Sequence, residues 1–403
     1  MAKIAQINSV CHSSTGRIMN AIKAQSIKEG FEAICFFGRG EAPEAEGYFD
    51  IGNRMQMYRH ILHTRLWDGH GLRSKGETEQ LIHLLEQQKP DIIHLHNIHG
   101  YYLQVPLLFA YLKKTGIPVV WTLHDCWSYT GHCAYYDFVG CERYQSHCQN
   151  CPQKGSYPKS WLVDGSGRNF DWKKQAFSHM PHLTLVTPSH WLKDQLRQTF
   201  MAQYPAKVIP NGIDLDTFQP MDGTAMGQKL GISPEKYVIL GVATRFDEPR
   251  KGFDHFMRLS RLLAEDEQIL LVGATKKQLE NLPGNVKAMQ RTADAKELAA
   301  IYSLPDLFVN PTLEDNLPTV TMEAMACGTP VTGYATGGQP EMVEGLFPLA
   351  QKGDVEGLYA IIRQMRTQGK AAYTEACLQR AQQRFDAKIC FAAYTELYRS
   401  LLG

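Results

Sequence analysis

The amino-acid sequence predicts an α/β protein of two doubly wound domains, each a parallel sheet with helices on both faces. Its 403 residues exceed what one hydrophobic core usually organises. Short apolar runs alternate with helical patterns along most of the chain, which is typical of parallel sheets. Near the middle, a Pro210-Asn211-Gly212 turn and the polar stretch Gln219–Gly231 interrupt this alternation. Two Rossmann-like domains therefore explain the pattern.

Strands are predicted where short apolar runs are bounded by turn residues. In the first half these runs are Lys3–Asn8, Ala33–Phe37, Asp91–His96, Val119–Leu123 and Leu183–Thr187. In the second half they are Val238–Ala243, Ile269–Val272, Val286–Met289, Leu307–Asn310 and Val331–Tyr334. Helices are predicted at Gly16–Glu29, Glu77–Gln88, Trp191–Phe200, Phe253–Ala264, Ala295–Tyr302 and Thr319–Ala326.

The domain boundary is predicted at about residue 213. Residues 1–213 would form the N-terminal domain, with a cysteine-rich insert at 126–160, and residues 214–385 the C-terminal domain. The amphipathic tail, 386–403, is expected to form a helix that packs back on the N-terminal domain. Doubly wound domains bind ligands at the carboxyl ends of their strands. We therefore expect two domains facing each other, with ligand-binding groups at these strand ends.

Charge and hydropathy exclude several classes of protein. Lys and Arg number 42 against 41 Asp and Glu, so no overall field favours nucleic acid, which we do not expect as a partner. The start, MAKIAQINSV, has no signal-peptide pattern, and no stretch approaches the roughly 20 apolar residues of a membrane span. The expectation is a cytoplasmic protein that can contact the inner membrane face peripherally.

Residues 310–330, NPTLEDNLPTVTMEAMACGTP, contain the densest set of candidate binding groups. A predicted strand ends at Asn310, an acidic turn follows, and Pro318-Thr319 is a favourable start for a helix. Free N–H groups at such a helix start can bind a phosphate. The candidate ligand contacts are Glu314, Asp315, Asn316, Leu317, Thr319 and Glu323. An ordinary acidic helix cap is the alternative interpretation.

Two further segments of the C-terminal half carry cations or glycines at predicted strand ends. Arg245 follows one strand, and Arg250 and Lys251 precede the next helix. An Arg fork and a Lys point charge could together neutralise a diphosphate, although surface cations in a loop would look the same. Thr336–Glu341, TGGQPE, follows Val331–Tyr334, and its glycines would allow close backbone approach to a ligand.

The N-terminal half offers a loop and several histidines. Ser13–Arg17 feeds a helix and is a potential anion site, yet it contains neither a Walker lysine nor a Gly-x-Gly-x-x-Gly pattern. This counts against a nucleoside-triphosphate hydrolase or a dehydrogenase. His94 and His96 lie on one face of a strand, with His99 beyond it, and we favour ligand-lining histidines over a metal site. His124 ends the next strand, where a capping His-Asp pair is the alternative.

Five cysteines fall between residues 126 and 151. Four of them, Cys133, Cys141, Cys148 and Cys151, end in a Cys-x-x-Cys pair and suit a tetrahedral zinc site. Such a closed site would be structural and would hold a long loop in place. Reduced thiols or disulfides are the alternatives.

Together these motifs resemble retaining glycosyltransferase family 4, which has the GT-B fold. Its Arg and Lys clamp the donor diphosphate, which implies this role for Arg245 and Lys251, although the family's shorter gap would select Arg250. Its second acid binds the ribose, which implies Glu323. Its first acid binds the donor sugar and implies Glu314 with a turn one residue longer, or Asp315 at the usual spacing of seven residues. Gly16 would approach the diphosphate.

The resemblance also implies a mechanism and a subgroup. His124 would lie near the donor sugar or acceptor, configuration would be retained by same-face attack, and neither a catalytic metal nor a protein nucleophile would be needed. The segments TRLWDGHGL (64–72), HLHNIHGYYL and WTLHDCWSYTGHC resemble a subgroup of colanic-acid and exopolysaccharide synthesis. The implied partners are a nucleotide-diphosphate sugar, with UDP or GDP, and a glycan acceptor on a lipid carrier.

Three points stay open at this stage. Arg65, Asp68, His70 and His96 are acceptor-side candidates, but the first three could equally form a capped turn. A nucleotide-sugar epimerase on the same fold would use a similar donor site. A non-catalytic scaffold that binds a nucleotide sugar is the third interpretation, suggested by the shifted spacings of the acids and cations.

Overall fold

The computed structural model describes all 403 residues and divides them into two units. Unit 1 comprises Met1–Pro210 and Cys390–Gly403, and unit 2 comprises Asn211–Ile389. The division falls within the Pro-Asn-Gly turn that the sequence marks as a break. Each unit has its own parallel sheet and its own hydrophobic core.

Unit 1 contains a sheet of seven parallel strands in the order β3-β2-β1-β4-β5-β6-β7. The strands are β1 (Lys3–Val10), β2 (Glu32–Arg39), β3 (Tyr48–Asp50), β4 (Ile92–Leu95), β5 (Val119–Thr122), β6 (Leu183–Thr187) and β7 (Ala206–Val208). The helices are α1 (Ser13–Lys28), α2 (Arg54–Trp67), α3 (Lys75–Gln88), α4 (Val105–Thr115), α5 (Ser166–Phe177) and α6 (His190–Leu196). Short 3₁₀ helices occupy Asp137–Val139, Arg143–Gln145 and Phe200–Gln203.

Unit 2 contains a sheet of five parallel strands in the order β10-β9-β8-β11-β12. The strands are β8 (Tyr237–Val242), β9 (Glu267–Val272), β10 (Val286–Met289), β11 (Leu307–Asn310) and β12 (Val331–Gly333). The helices are α7 (Thr224–Leu230), α8 (Phe253–Leu259), α9 (Lys276–Leu279), α10 (Ala295–Ser303), α11 (Thr319–Ala326), α12 (Gln339–Val343), α13 (Val355–Gln368) and α14 (Ala371–Arg384), and the chain ends with α15 (Ala387–Leu402). A 3₁₀ turn occupies Pro249–Lys251.

Strand order reverses at one place in each sheet. In unit 1 the reversal lies between β1 and β4, and in unit 2 between β8 and β11. Loops after such neighbouring strands diverge and leave a crevice at their carboxyl ends. The loops after these four strands carry most of the sequence-predicted ligand contacts, so the topology alone gathers them within each unit.

From Cys390 onward, α15 belongs to unit 1 and is tied to its central strands. The Tyr398 hydroxyl lies 2.6 Å from Nδ1 of His94, and the Tyr394 hydroxyl lies 3.2 Å from Oγ1 of Thr122. Tyr398 and Tyr394 are both buried. The aromatic residues that make the tail amphipathic therefore complete the core of unit 1.

Two predicted helices are longer in the sequence pattern than in the structure. The helix predicted at Phe253–Ala264 ends at Leu259, and Ser260 turns its hydroxyl back to the Met257 carbonyl. The helix predicted at Trp191–Phe200 ends at Leu196. Leucines that follow α8 continue its apolar pattern beyond Leu259, and a separate 3₁₀ turn at Phe200–Gln203 continues the pattern after α6.

None of the helices is both long and apolar enough to cross a lipid bilayer.

Candidate functional site

The acidic turn of unit 2 lies between β11 and α11. Glu314 is fully buried, Asn316 and Leu317 are nearly so, and α11 begins at Thr319. Pro318 precedes α11 and provides no side-chain cap for its first N–H groups. These groups therefore keep the potential to bind an anion.

Two cations of the Pro249–Lys251 turn face the acidic turn. The Lys251 ammonium lies 2.5 Å from Oδ2 of Asp315, and the Arg250 guanidinium lies 3.7 Å from the same oxygen. Arg250 also donates to the Glu314 carbonyl at 3.0 Å, and its own carbonyl accepts a hydrogen bond from the Leu313 amide at 2.7 Å. The cationic and acidic turns are thus one assembly built on neighbouring strands β8 and β11.

The side chains of Lys251 and Arg250 differ in their exposure and in the number of contacts they make within the fold. The Arg250 side chain is 9% exposed and also pairs with Glu248 at 2.7 Å. The Lys251 ammonium makes one hydrogen bond, to Asp315, and is 20% exposed. Because an ammonium has three N–H donors, two remain for a ligand.

The charge state of Asp315 follows from this setting. Burial pushes the pKa of Asp315 upward, but the nearby Lys251 and Arg250 cations outweigh burial and hold the pKa below its usual value. Asp315 is therefore a carboxylate at neutral pH.

Arg245 follows β8 in an exposed position. Its side chain is 67% exposed and pairs with Asp247, and Nε donates to Oδ1 at 3.0 Å. An exposed guanidinium can exchange such a partner for a phosphate at little cost.

Glu323 lies on α11 and is buried. Its Oε2 accepts a hydrogen bond of 2.8 Å from the hydroxyl of Tyr302, which lies at the end of α10 and is fully buried. Sequence reasoning missed Tyr302, because an aromatic residue on an amphipathic helix looks like core. The hydrogen bond orients one carboxylate oxygen of Glu323.

The glycine loop that follows β12 packs directly on the acidic turn. The Gly338 amide donates to the Asn316 carbonyl at 3.0 Å. Gly337 has φ +55, and a Cβ there would lie 1.7 Å from the Asp315 carbonyl oxygen. Glycine is therefore required at 337 by both backbone conformation and space.

In unit 1, Gly16 lies in the first turn of α1. A Cβ at this position would lie 2.4 Å from the Cys11 carbonyl carbon. His12, which precedes α1, provides no side-chain cap. Gly16 thus lets the helix approach the end of β1 closely, at the reversal of strand order.

His96 and His124 form a pair at the ends of β4 and β5. His96 Nδ1 lies 3.1 Å from His124 Nε2, and His96 Nε2 lies 3.0 Å from Oε1 of Gln6. Burial lowers the pKa of His96 far below its usual value and that of His124 to about 4, so both rings are neutral at pH 7. Since the Gln6 oxygen accepts from His96 Nε2–H, His96 Nδ1 accepts from His124 Nε2–H. His124 Nδ1 is then the nitrogen with the lone pair.

His99 belongs to a second polar group beside this pair. His99 Nε2 lies 2.9 Å from Asp125 Oδ2, and His99 Nδ1 lies 2.8 Å from the Tyr157 hydroxyl. His96, His99, His124 and Asp125 all line one small cavity. Tyr157 comes from the cysteine-rich insert, so its contact with His99 could not be predicted from spacing in the sequence.

Two residues of the 64–72 segment have structural contacts inside unit 1. Asp68 is fully buried and ends α2, with Oδ1 2.6 Å from His132 Nδ1 and Oδ2 accepting from the Gly165 amide at 2.9 Å. His70 is also buried, and its Nε2 accepts from the Gly100 amide at 3.3 Å. These contacts favour the capped-turn interpretation for both residues.

Arg65 remains near the surface, where Nη1 donates to the Lys159 carbonyl at 2.8 Å. The contact joins the last turn of α2 to the cysteine-rich insert. Arg65 is therefore the member of this segment with a charged group within reach of a ligand.

Four cysteines of the insert line one small cavity together with His132. Cys133 and Cys151 are hydrogen-bonded to each other, which raises the pKa of Cys133 far above its usual value and lowers that of Cys151 to about 7. All ten cysteines are free thiols, and no three His, Cys, Asp or Glu side chains have the spacing of a formed metal site.

An exposed apolar face on α2 was missed by sequence reasoning. Met55, Tyr58 and Leu62, which recur at helical spacing, are 62%, 55% and 53% exposed. Trp67 is 52% exposed at the end of the same helix. Helix α2 contains three arginines and no acidic residue. The signal was present as an apolar stripe, but such a stripe usually faces a core.

The neighbouring insert extends this face. The Trp161 amide donates to the Arg65 carbonyl at 2.6 Å, and Trp161, Leu162 and Val163 are 54%, 68% and 40% exposed. We call these residues, together with Met55, Tyr58, Leu62 and Trp67, the apolar face. Beside it lies a cavity of about 660 Å³ lined by Leu62, Trp67, Arg59, Arg73 and Lys75.

Comparison with known proteins defines the class to which this fold and these strand-end groups belong. The model of Glycosyltransferase Family 4 matches residues 19–217, and the model of Glycosyl transferases group 1 matches residues 237–368. WcaC of Escherichia coli (strain K12), which its name places in colanic acid biosynthesis as a glycosyl transferase, is 27% identical over 249 residues. The alignment covers 60% of this chain and 59% of that relative, so the chain matches less than two thirds of its length.

Solved structures share the whole fold. Sucrose-phosphate synthase from Thermosynechococcus elongatus has a TM-score of 0.72 at 17% identity, covering 100% of this chain and 99% of that one. Anabaena HepE, solved in complex with UDP-glucose, has a TM-score of 0.66 at 17% identity, covering 99% and 100%. The α/β, GT-B fold class predicted from the sequence is confirmed. The chain belongs to glycosyltransferase family 4.

Proposed function

We propose that this protein is a retaining glycosyltransferase that transfers a sugar from a UDP- or GDP-sugar to a lipid-linked glycan in bacterial surface polysaccharide synthesis. The observation that carries the proposal is the cation–carboxylate assembly at the ends of β8 and β11 in unit 2. A leaving diphosphate needs fixed positive charge and N–H donors, and this assembly supplies both.

We assign the diphosphate to Lys251, Arg245 and the uncapped start of α11. The two unused N–H donors of Lys251 and the exposed guanidinium of Arg245 support this assignment. Arg250 is a positioning residue, because its contacts hold the acidic turn. With two cations available, no catalytic metal is required, and EDTA is expected to leave turnover unchanged.

We assign the ribose to Glu323 and the donor sugar to Glu314. The Tyr302 hydrogen bond supports a fixed carboxylate at Glu323. Asp315 is already paired with Lys251, which favours Glu314 as the acid that contacts sugar hydroxyls. The donor site would also include the backbone of Asn316, Leu317 and Thr319.

We assign acceptor recognition to unit 1. A neutral His124, whose Nδ1 is an acceptor, can bind a sugar hydroxyl, and His96 fixes the orientation of its ring. We assign the approach of a phosphate in this unit to the start of α1, where Gly16 lets the helix lie close to the end of β1. Retention then proceeds by same-face attack, in which the leaving phosphate takes the acceptor proton and no protein nucleophile is used.

The apolar face supports peripheral contact with an anionic lipid surface. Exposed Trp67 and Trp161 could enter the interface, while arginines of α2 would meet lipid phosphates. The adjacent cavity with Arg59, Arg73 and Lys75 suits the phosphate of a lipid carrier. Cosedimentation with anionic vesicles should be lost in a Leu62→Glu, Trp161→Glu variant.

The matched control for the apolar face is Ile389→Glu, which changes an equally exposed apolar residue of unit 2. The control should sediment like wild type. Equal binding of the double variant and wild type would refute the membrane assignment, as would equal binding to zwitterionic vesicles.

A turnover assay tests the proposed reaction. The protein is incubated with UDP- and GDP-sugars, with and without a lipid-linked glycan fraction, and both the free nucleotide and the anomeric configuration of the product are measured. Acceptor-dependent release of a nucleoside diphosphate with retained configuration supports the proposal. Conversion of the donor without acceptor would indicate an epimerase, and binding without turnover would indicate a scaffold.

A further inference from the structure

The segment between β5 and α5, residues 123–165, contains no α-helix or strand, only two short 3₁₀ turns. A loop of this length inside a compact domain usually needs its own means of stabilisation. It nevertheless presents Tyr157 to His99 and Trp161 to the surface at fixed positions. Buried aromatic side chains of the segment offset part of the conformational entropy that its ordering costs, and a cross-link would offset more.

The four thiols of this segment converge around one cavity. Cys133 contacts Cys151 through a hydrogen bond, and Cys148 and Cys141 line the same cavity. Cys148 Sγ accepts a hydrogen bond from the Gly131 amide at 3.2 Å. Backbone amides that donate to a cysteine sulfur are a common outer partner of metal-bound thiolates. The Arg143 guanidinium donates to the Gln149 carbonyl at 2.9 Å and so braces the turn between Cys148 and Cys151.

A buried histidine provides the independent observation. His132 is 2% exposed and lines the cavity of the four thiols, and its Nε2 is buried without a hydrogen-bond partner. Its Nδ1 is held by the fully buried carboxylate of Asp68 at 2.6 Å. Because Nδ1–H donates to Asp68, Nε2 carries the lone pair, and a buried ring nitrogen without a partner costs free energy unless a group in the cavity supplies one.

A buried amine also lies next to the thiols. The Lys173 ammonium is buried and donates to the Trp127 and Thr130 carbonyls at 2.7 and 2.9 Å. Burial lowers the pKa of Lys173 to about 7, whereas Cys148 and Cys133 are among the groups whose negative charge would raise it. Four thiolates on a divalent ion carry a net charge of −2, part of which the Lys173 amine offsets when it is protonated.

We propose that Cys133, Cys141, Cys148 and Cys151 bind one zinc ion as four thiolates, and that the His132 ring, whose Nδ1–H donates to Asp68, packs against this cluster and shields it from solvent. Binding exchanges four thiol protons for one ion, so atoms and charge balance without any redox step. Zinc–thiolate bonds are about 2.3 Å long, so binding would require the four cysteine side chains that line the cavity to turn inward. The site is structural, and it is independent of the proposed transferase reaction.

The test is metal analysis of the full-length protein, purified under reducing conditions and incubated with zinc. We expect about one zinc ion per chain, and an X-ray absorption spectrum with four sulfur neighbours at about 2.3 Å. Cys141→Ser and Cys148→Ser should each lose the ion. Cys377→Ser, a buried cysteine of unit 2, should keep it. The wild-type spectrum needs no variant to fold and so remains decisive if a variant aggregates.

Several results would overturn this inference. One is zinc below a tenth of an ion per chain after incubation, and another is full retention of zinc in Cys148→Ser. A nitrogen neighbour near 2.0 Å would replace a thiolate by His132 and refute the four-sulfur assignment. A disulfide among these cysteines in the purified protein would also contradict it. By contrast, His132→Ala, which removes the shielding ring, should keep four sulfur neighbours but release zinc to a chelator at least about tenfold faster.

Discussion

Replacing Lys251 by methionine tests whether this lysine binds the ligand or only stabilises the fold. The change keeps a long apolar stem and removes the ammonium 2.5 Å from Asp315. Both side chains of this pair are about one fifth exposed, at 20% and 18%, so solvent screens part of their attraction. We therefore expect the free energy of unfolding to fall by only about 1 kcal/mol.

The effect on turnover should be much larger. If Lys251 stabilises charge on the leaving diphosphate, its removal costs about 3–4 kcal/mol in the transition state, a 10²–10³-fold loss of kcat. The assay is release of nucleoside diphosphate from the preferred donor, with urea unfolding of the same preparation.

Arg250→Met is the matched control, because Arg250 is the neighbouring cation. Its buried guanidinium holds the Glu314 carbonyl and Glu248, so its loss should lower the unfolding free energy by about 3 kcal/mol. Turnover by Lys251→Met within threefold of wild type would refute the assignment. An equal loss of unfolding free energy in Lys251→Met and Arg250→Met would also refute it.

Three further predictions follow from buried contacts. Tyr302→Phe removes the hydrogen bond to Oε2 of Glu323, so nucleotide affinity should fall about three- to tenfold by calorimetry with kcat little changed; unchanged affinity would contradict the positioning role. Gly337→Ala should cost at least about 2 kcal/mol more in urea unfolding than Gly345→Ala, because both have positive φ but only Gly337 meets backbone at 1.7 Å, and equal losses would contradict this. Burial lowers the pKa of His94 to about 3, so below pH 6.5 the unfolded chain binds a proton at His94 that the folded chain rejects. His94 alone should then contribute up to about 1.4 kcal/mol per pH unit to the loss of stability on acidification, and a His94→Asn variant with an unchanged slope would refute this.

Much of the fold was predictable because local patterns determine it. β6, β10 and β11 have the predicted bounds, since short apolar runs between turn residues leave few other structures. The short edge strands β3 and β7 were missed, because each has only three residues and no alternation to recognise.

The candidate site was predictable as a set of segments but not as contacts. The sequence places Lys251 and Asp315 far apart, and only the order of strands β8 and β11 brings their turns together. Spacing in the sequence leaves both Glu314 and Asp315 as the sugar-binding acid, and it cannot show that Asp315 pairs with Lys251. Tyr302 and Tyr157 were missed because their partners lie on other elements.

In the 64–72 segment the sequence suggested ligand contacts where the structure has buried internal contacts. The segment combines Arg, Asp and His, which are residue types common in ligand sites. In the structure Asp68 is fully buried and both its oxygens bind within unit 1. Burial is a property of tertiary packing, so no local pattern distinguishes a binding carboxylate from one that holds a loop.

The most direct test of the central claim is calorimetric titration of the protein with UDP, GDP and their sugar conjugates, without added divalent metal. We predict that one nucleotide family binds selectively and that its affinity falls at least about tenfold in Glu323→Gln, which removes the carboxylate proposed to hold the ribose. Binding of no nucleotide to the wild-type protein would contradict the donor site in unit 2, as would equal affinity of Glu323→Gln.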